Sequence, residues 1–199
     1  MSERPAALLQ ELRQLYDAQT ARLRAEHQRS VPFGDLVSDR WARARTLGFG
    51  EGASIYDSAL VIGEVSVGER TWIGPHTVLD GSGGLTIGDT CSISAGVQLY
   101  THDSVAWALS GGRAEYVREP VHIGDHCYIG PLSVIAKGVT IGAHSLVAAN
   151  SVVTRSVAPF SIVGGAPARV IGRVELTATG EVTLHYGNGP AGEGEALRD

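Results

Sequence analysis

Five histidines, His76, His102, His122, His126 and His144, are the residues in the centre of this sequence best suited to moving a proton. A neutral imidazole accepts a proton from a hydroxyl or amine as that group attacks a carbonyl carbon. All but His122 recur at equivalent places in the repeat described below, so position alone does not choose among them. Context separates His102, because Tyr100-Thr101-His102-Asp103 closes a regular run and opens a long irregular one. Two carboxylates are candidates to orient its ring. Asp103 is adjacent, although an Asp at the start of a turn commonly bonds its own backbone. Asp80 sits in an insertion that the repeat brings one coil away from His102. No Ser or Cys stands in a nucleophile elbow, so a covalent intermediate on a side chain is disfavoured. The glycines form no Walker-type or dinucleotide-type phosphate loop.

The elements that must position these groups are set by a six-residue period. Aliphatic residues recur at Ile55, Val61, Val67, Ile73 and Leu79, then, after a step of eight, at Ile87, Ile93 and Leu99. A third run holds Ile123, Ile129, Ile135, Ile141, Val147 and Val153, with Pro159 as a departure. Such spacing is neither helical nor simple strand alternation. The residue after the aliphatic is often Gly, as at Gly68, Gly74, Gly88, Gly124, Gly130 and Gly142, and the fourth after it is small or β-branched. One large and one small inward position per hexad suit a narrow stacked coil, in which every turn presents the same cross-section to its neighbours. Cys91 and Cys127 fall on the small inward place and read as buried hydrophobes, not as a disulfide.

The flanks differ. Residues 6 to 28 place Leu8, Leu12, Leu15, Tyr16, Gln19 and Leu23 on one helical face, a pattern predicting a helix that Pro32 and Gly34 end. Asp39 to Leu47 reads as a second short helix with Trp41 as its buried anchor. The expected organisation is an N-terminal helical segment over 1–50, an all-β main domain over 51–173, and a C-terminal strand near Glu181 to Tyr186 with a flexible Gly-rich tail over 174–199. Two interruptions break the coil. Asp80-Gly81-Ser82-Gly83-Gly84 inserts two residues at a corner, and the hexad phase disappears over about 104–119. Long loops on a regular scaffold tend to carry function, so Trp107, Arg113 and Tyr116 are the candidates for touching an acceptor substrate.

The repeat from about Ile55 to Arg173 resembles that of the hexapeptide-repeat acyltransferases. The stretch Pro120-Val121-His122-Ile123-Gly124-Asp125 and the closing Gly164-Gly165-Ala166-Pro167-Ala168-Arg169-Val170-Ile171 are similar to those of maltose, galactoside and surface-polysaccharide acetyltransferases. The resemblance implies a left-handed parallel β-helix, a homotrimer with sites at its interfaces, and a catalytic histidine where His102 stands. It implies acetyl-CoA as co-substrate, lying in a groove between coils of two chains. Pro131 and Ala149 would line the pantetheine, while Thr154, Arg155 and Arg169 would approach the phosphates. Arg155 stands where relatives commonly have Lys, and the place three after Arg169, often basic, is Gly172 with Arg173 beside it. The implied activity is acetyl transfer to a sugar or surface-polysaccharide precursor, with nucleotide-sugar N-acetylation as the close alternative. A γ-type carbonic anhydrase using His102, His122 and His126 as zinc ligands is the metal-dependent rival. The paired histidines of that class are five apart and these are four, so no metal is expected.

Composition excludes other classes. The 199 residues include 26 glycines and 6% aromatics, a balance suited to many tight turns rather than to a helical bundle. A net charge of -5 offers no electrostatic footprint for nucleic acid or an anionic membrane. The first thirty residues mix charged and apolar positions without an uninterrupted apolar stretch, so neither a signal peptide nor a membrane span is expected, and a cytoplasmic location follows.

Overall fold

Each hexad becomes one short strand and one corner, and three hexads close a coil of a left-handed parallel β-helix with about 6 turns. The computed structural model describes residues 3–187. One face stacks Ser54–Ile55, Trp72–Ile73, Ser92–Ile93, Tyr128–Ile129, Leu146–Val147 and Ser161–Gly165 in parallel register. The second face stacks the strand around Val61 with those around Leu79, Leu99, Ile135 and Val153. The third stacks Val67, Ile87, Ile123 and Ile141, with Val157 bridging to Ile141.

The expected aliphatics form this interior. Ile55, Ile73, Ile93, Ile129, Leu79, Leu99 and Ile135 are wholly buried, and Thr71, Cys91, Cys127, Ser133 and Ser145 fill the small inward places. Both cysteines are free thiols. Fully burying each such aliphatic side chain is worth about 1.5–3 kcal/mol, so the ladder is the main source of cohesion.

Three irregularities set the register. Ile55 pairs with Ile73, a step of eighteen, whereas Ile73 pairs with Ile93, a step of twenty. The two extra residues lie in the segment from Asp80 to Gly84, inside the long strand Val78–Ile87. Ile93 pairs with Ile129, so the whole inserted loop is an excursion of eighteen residues between adjacent coils. The last coil is two residues short: Val157, not Pro159, bridges to Ile141, and Val163 pairs with Val147. Proline lacks the N–H that the ladder needs there, and Val157 donates its own to Thr140 instead.

Corners turn through left-handed backbone at the fourth place of the hexad. Arg70, Thr90, His126, His144 and Phe160 adopt φ between 52° and 58° on one corner, and His76, Leu132 and Asn150 adopt 56° to 60° on another. This conformation costs an L-residue roughly 1–2 kcal/mol. Stacking between turns offsets part of the cost: the His126 and His144 rings are 4.6 Å apart, and His144 lies parallel to Phe160 at 4.8 Å.

Both ends of the prism are covered. Helix α1 (Glu3–His27) is followed by α2 (Phe33–Val37) and α3 (Arg40–Thr46). The first helix stops five residues before Pro32, which serves as the N-cap of the second. Asp39 caps the third, accepting the N–H groups of Trp41 and Ala42. Trp41 is not the anchor the sequence suggested, being 44% exposed with Arg40 over its ring; Ala44, at 1%, is the residue that packs under the first coil. Arg43 reaches beside it to donate to the carbonyls of Tyr56 and Ala59. At the other end Gly165, with φ 97°, reverses the chain, so Ala168–Leu176 returns antiparallel and pairs with Val182–Tyr186. The parallel coil therefore ends before Arg173, and this hairpin occupies its open edge. The tail beyond residue 187 lies outside the described residues. Among the described residues no helix is long and apolar enough to cross a membrane.

Replacing Ile129 with Ala should lower the unfolding free energy by about 2–5 kcal/mol, because the neighbouring coils cannot close over the gap. The same change at Leu109, 86% exposed in the loop, should cost under about 0.5 kcal/mol. Urea unfolding of the two variants checks this, and equal midpoints would refute the ladder as the main source of stability.

Candidate active site

The two-residue insertion and the long loop meet at one corner. Gly81 and Gly83 let the insertion pass close to its neighbours: a Cβ on Gly81 would collide with the backbone of Glu64, and one on Gly83 with the Thr101 carbonyl. Thr101 then locks the two segments together, donating its hydroxyl to the Asp80 carbonyl at 2.8 Å while accepting Gly83 N–H at 2.7 Å.

Asp80 is 1% exposed and its carboxylate is saturated. Oδ1 accepts Ser82 N–H at 3.0 Å and Ser82 Oγ–H at 2.5 Å, and Oδ2 accepts Thr101 N–H at 3.1 Å. The fourth partner is His102, whose Nδ1 lies 2.5 Å from Oδ2. Burial pushes this carboxyl up, but the hydrogen bonds from Ser82, His102 and Thr101 outweigh it and hold it below the ordinary carboxylate value. An ionised carboxylate only accepts, so Nδ1 carries the proton and, in the neutral ring, Nε2 keeps its lone pair free.

His102 differs from the other histidines in backbone as well as in partner. His76, His126 and His144 occupy left-handed corners, whereas His102 opens a two-residue strand whose antiparallel partner is Val117–Arg118. His102 and Asp103 face Arg118 and Val117 across this stem. Asp103 does not hydrogen-bond the imidazole: its carboxylate accepts Val105 N–H at 3.0 Å and lies 3.4 Å from Lys137 Nζ.

Beyond the stem, helix α4 (Val105–Leu109) carries Trp107. The Tyr116 ring lies nearly parallel to the His102 imidazole at 6.2 Å, and Trp107 meets Tyr116 edge-on at 5.6 Å. Both are about two-fifths exposed, at 43% and 40%. Arg113 is not drawn to the imidazole; its backbone N–H donates to Ser110.

The residues named for a coenzyme divide between two corners. Pro131 and Ala149 follow Ile129 and Val147 by two places and stack in successive coils, with Asn150 N–H donating to the Pro131 carbonyl at 2.8 Å. Arg169 pairs with Gly164 at the top of that column. Thr154 and Arg155 follow Val153 on the corner that also carries His102. His122 sits mid-face between Thr86 and Thr140, and His126 stacks on His144 at a third corner. The proposed zinc set therefore does not converge, and among the described residues no three His, Cys, Asp or Glu side chains gather to hold a metal.

Sequence reasoning missed Ser82 and Thr101, which hold Asp80, and Lys137 with Glu119 at the loop base. For Lys137 the signal was register: it follows Ile135 by two places, as Thr101 follows Leu99.

A parallel prism of hexads carrying a buried Asp–His pair at the mouth of a single long loop defines the class. Residues 120–155 match the bacterial transferase hexapeptide model of six repeats, and residues 64–101 match the hexapeptide repeat of succinyl-transferase. The chain belongs to the hexapeptide-repeat acyltransferase family. Galactoside O-acetyltransferase of Escherichia coli is 30% identical over 53% of this chain and 62% of its own length, so the match spans less than two thirds of that curated relative. A hexapeptide-repeat acetyltransferase of Vibrio cholerae, solved with acetyl coenzyme A, is 34% identical with a TM-score of 0.59, over 82% of this chain and 88% of that one. AntD, an N-acyltransferase from Bacillus cereus solved with dTDP and 3-hydroxybutyryl-CoA, is 27% identical with a TM-score of 0.57, over 62% and 70% of the two chains.

Asp80→Asn should test the electrostatics. A carboxyl whose folded value is depressed adds stability that is complete above its unfolded value, near 3.8, and is lost as pH falls through the lower folded value. The wild type should therefore be more stable than Asp80→Asn at pH 7, and the gap should narrow below about pH 4. Denaturant midpoints across pH 3 to 7 measure it, and a gap independent of pH would be the contrary result.

Proposed function

We propose that this chain is an acetyl-CoA-dependent acetyltransferase acting on a hydroxyl or amine of a sugar or nucleotide-linked sugar. The observation that carries the reading is the Asp80–His102 pair, a fixed imidazole tautomer presented beneath Tyr116 at the loop mouth. His102 Nε2 takes the proton of the acceptor hydroxyl or amine as that oxygen or nitrogen bonds to the thioester carbonyl carbon. The tetrahedral adduct then collapses, the carbon–sulfur bond breaks, and the imidazolium returns its proton to the leaving thiolate. Buried Asp80 stabilises the imidazolium between these steps and stops the ring from flipping. Both substrates are bound together, with no acyl group resting on a side chain.

Trp107 and Tyr116 offer aromatic faces on which an acceptor sugar ring can rest. Pro131 and Ala149 supply a narrow corner for the pantetheine, and Thr154, Arg155 and Arg169 supply donors for its phosphates. These donors stand on two corners of one prism, which favours a groove completed by a second chain and hence a homotrimer. Acceptance of an amine is favoured by the likeness to AntD, and of a hydroxyl by the likeness to galactoside O-acetyltransferase. A panel of sugars and dTDP-sugars with acetyl-CoA, read by free-thiol release, separates the two; release with none of them would refute a sugar acceptor.

His102→Ala should reduce turnover by about two to four orders of magnitude while acetyl-CoA still binds. Near wild-type turnover would exclude His102 as the base. Alanine at Arg155 or Arg169 should weaken acetyl-CoA more than its 3′-dephospho analogue, measured by calorimetry; equal losses for the two ligands would argue against phosphate contacts.

A further inference from the structure

The corner at which the loop leaves the coil is also where it returns, and one residue of the next coil touches both ends. Glu119, the first residue after the stem, donates its N–H to the Thr101 carbonyl at 2.9 Å and accepts Gly138 N–H at 3.3 Å. The returning chain is thus inserted between two coils as an extra ladder rung. Lys137 follows Ile135 by two places, as Thr101 follows Leu99, on the far side of that rung, and its Nζ is 3.0 Å from Glu119 Oε1 and 3.4 Å from Asp103 Oδ2. Asp103 belongs to the outgoing strand and Glu119 follows the incoming one, so a single ammonium group bridges the two ends of the loop.

We propose that Lys137 is a positioning residue for His102, an ammonium bolt from the neighbouring coil that holds the loop stem closed and keeps the imidazole on Asp80. This rests on the acetyltransferase reading only for its effect on turnover. Without the ammonium, Asp103 and Glu119 are two like charges at the joined ends of one hairpin and repel each other. An isolated exposed ion pair contributes little, but here one partly covered cation serves two anions at a joint whose other ties are a two-residue stem and the backbone hydrogen bonds of Glu119. The neighbouring carboxylates, Glu119 first, hold Lys137 charged by raising its value above that of a free lysine. Because His102 shares the stem with Asp103, loosening the stem moves the base relative to its substrates, and small misplacements of this kind reduce the chemical step more than binding.

Hydrogen exchange on the full chain tests the bolt directly. Lys137→Met should make the Glu119 and Gly138 amides exchange about tenfold faster, while amides of the coil interior stay unchanged. Turnover should fall by about tenfold with the KM for acetyl-CoA within about twofold, which separates positioning from loss of binding. Lys137→Arg, which keeps a cation between Asp103 and Glu119, should preserve both slow exchange and turnover. Unchanged stem exchange in Lys137→Met, or fast stem exchange in Lys137→Arg despite an unaltered melting temperature, would overturn the proposal. If the wild type proves inactive with every acceptor, the acetyltransferase reading fails, and the exchange data still decide the bolt.

Discussion

The constraint on which this structure depends is that every coil must present the same cross-section to the next. A parallel ladder with one large and one small inward side chain per face leaves no room for drift, because a register slip of one residue would turn each aliphatic outward. The interior is therefore uniform, and uniformity makes it chemically inert. Chemistry enters only where the period breaks. Two of the breaks, the insertion at Asp80 to Gly84 and the long loop after Asp103, fall on adjacent coils at the same corner. Their coincidence builds the Asp80–His102 pair.

That pair shows how a charge is kept inside such a scaffold. Asp80 has almost no contact with solvent, and an isolated buried carboxylate would take up a proton. Four donors, two from Ser82, one from Thr101 and one from His102, hold it ionised. The glycines on either side of Ser82 permit the close approach that brings those donors in. Thr101, itself wholly buried at the corner after Leu99, is part of the core and of the site at once. Rigidity from the ladder thus passes directly to the imidazole.

The irregular parts obey the same economy of contacts. Corner residues accept left-handed backbone and recover part of its cost by stacking, as His126, His144 and Phe160 do. The end of the prism under the first coil is closed by Ala44 and by Arg43, whose guanidinium donates to carbonyls of that coil. Membership of the hexapeptide-repeat family describes the scaffold. At the loop base, Lys137 meets both Glu119 and Asp103.

Much of this was legible in the residues themselves. The six-residue spacing determined the inward ladder, the small inward places of Cys91 and Cys127, and the two interruptions, because periodic burial is a property of the chain read in one dimension. His102 stood out by its place at the end of a regular run, and counting through the insertion brought Asp80 near it. Three matters were decided only by the tertiary structure. The last coil loses two residues and takes Val157 inward, since the total length of a turn is fixed by pairing with the coil below. Trp41 stays outside because the short helix turns Ala44, not Trp41, into the core. Asp80 rather than Asp103 holds the imidazole because side-chain direction depends on how the loop stem pairs, and the local pull of Val105 and Lys137 turns Asp103 away. Sequence spacing fixes which residues come to one corner; only the pairing of strands across coils fixes which of their atoms meet.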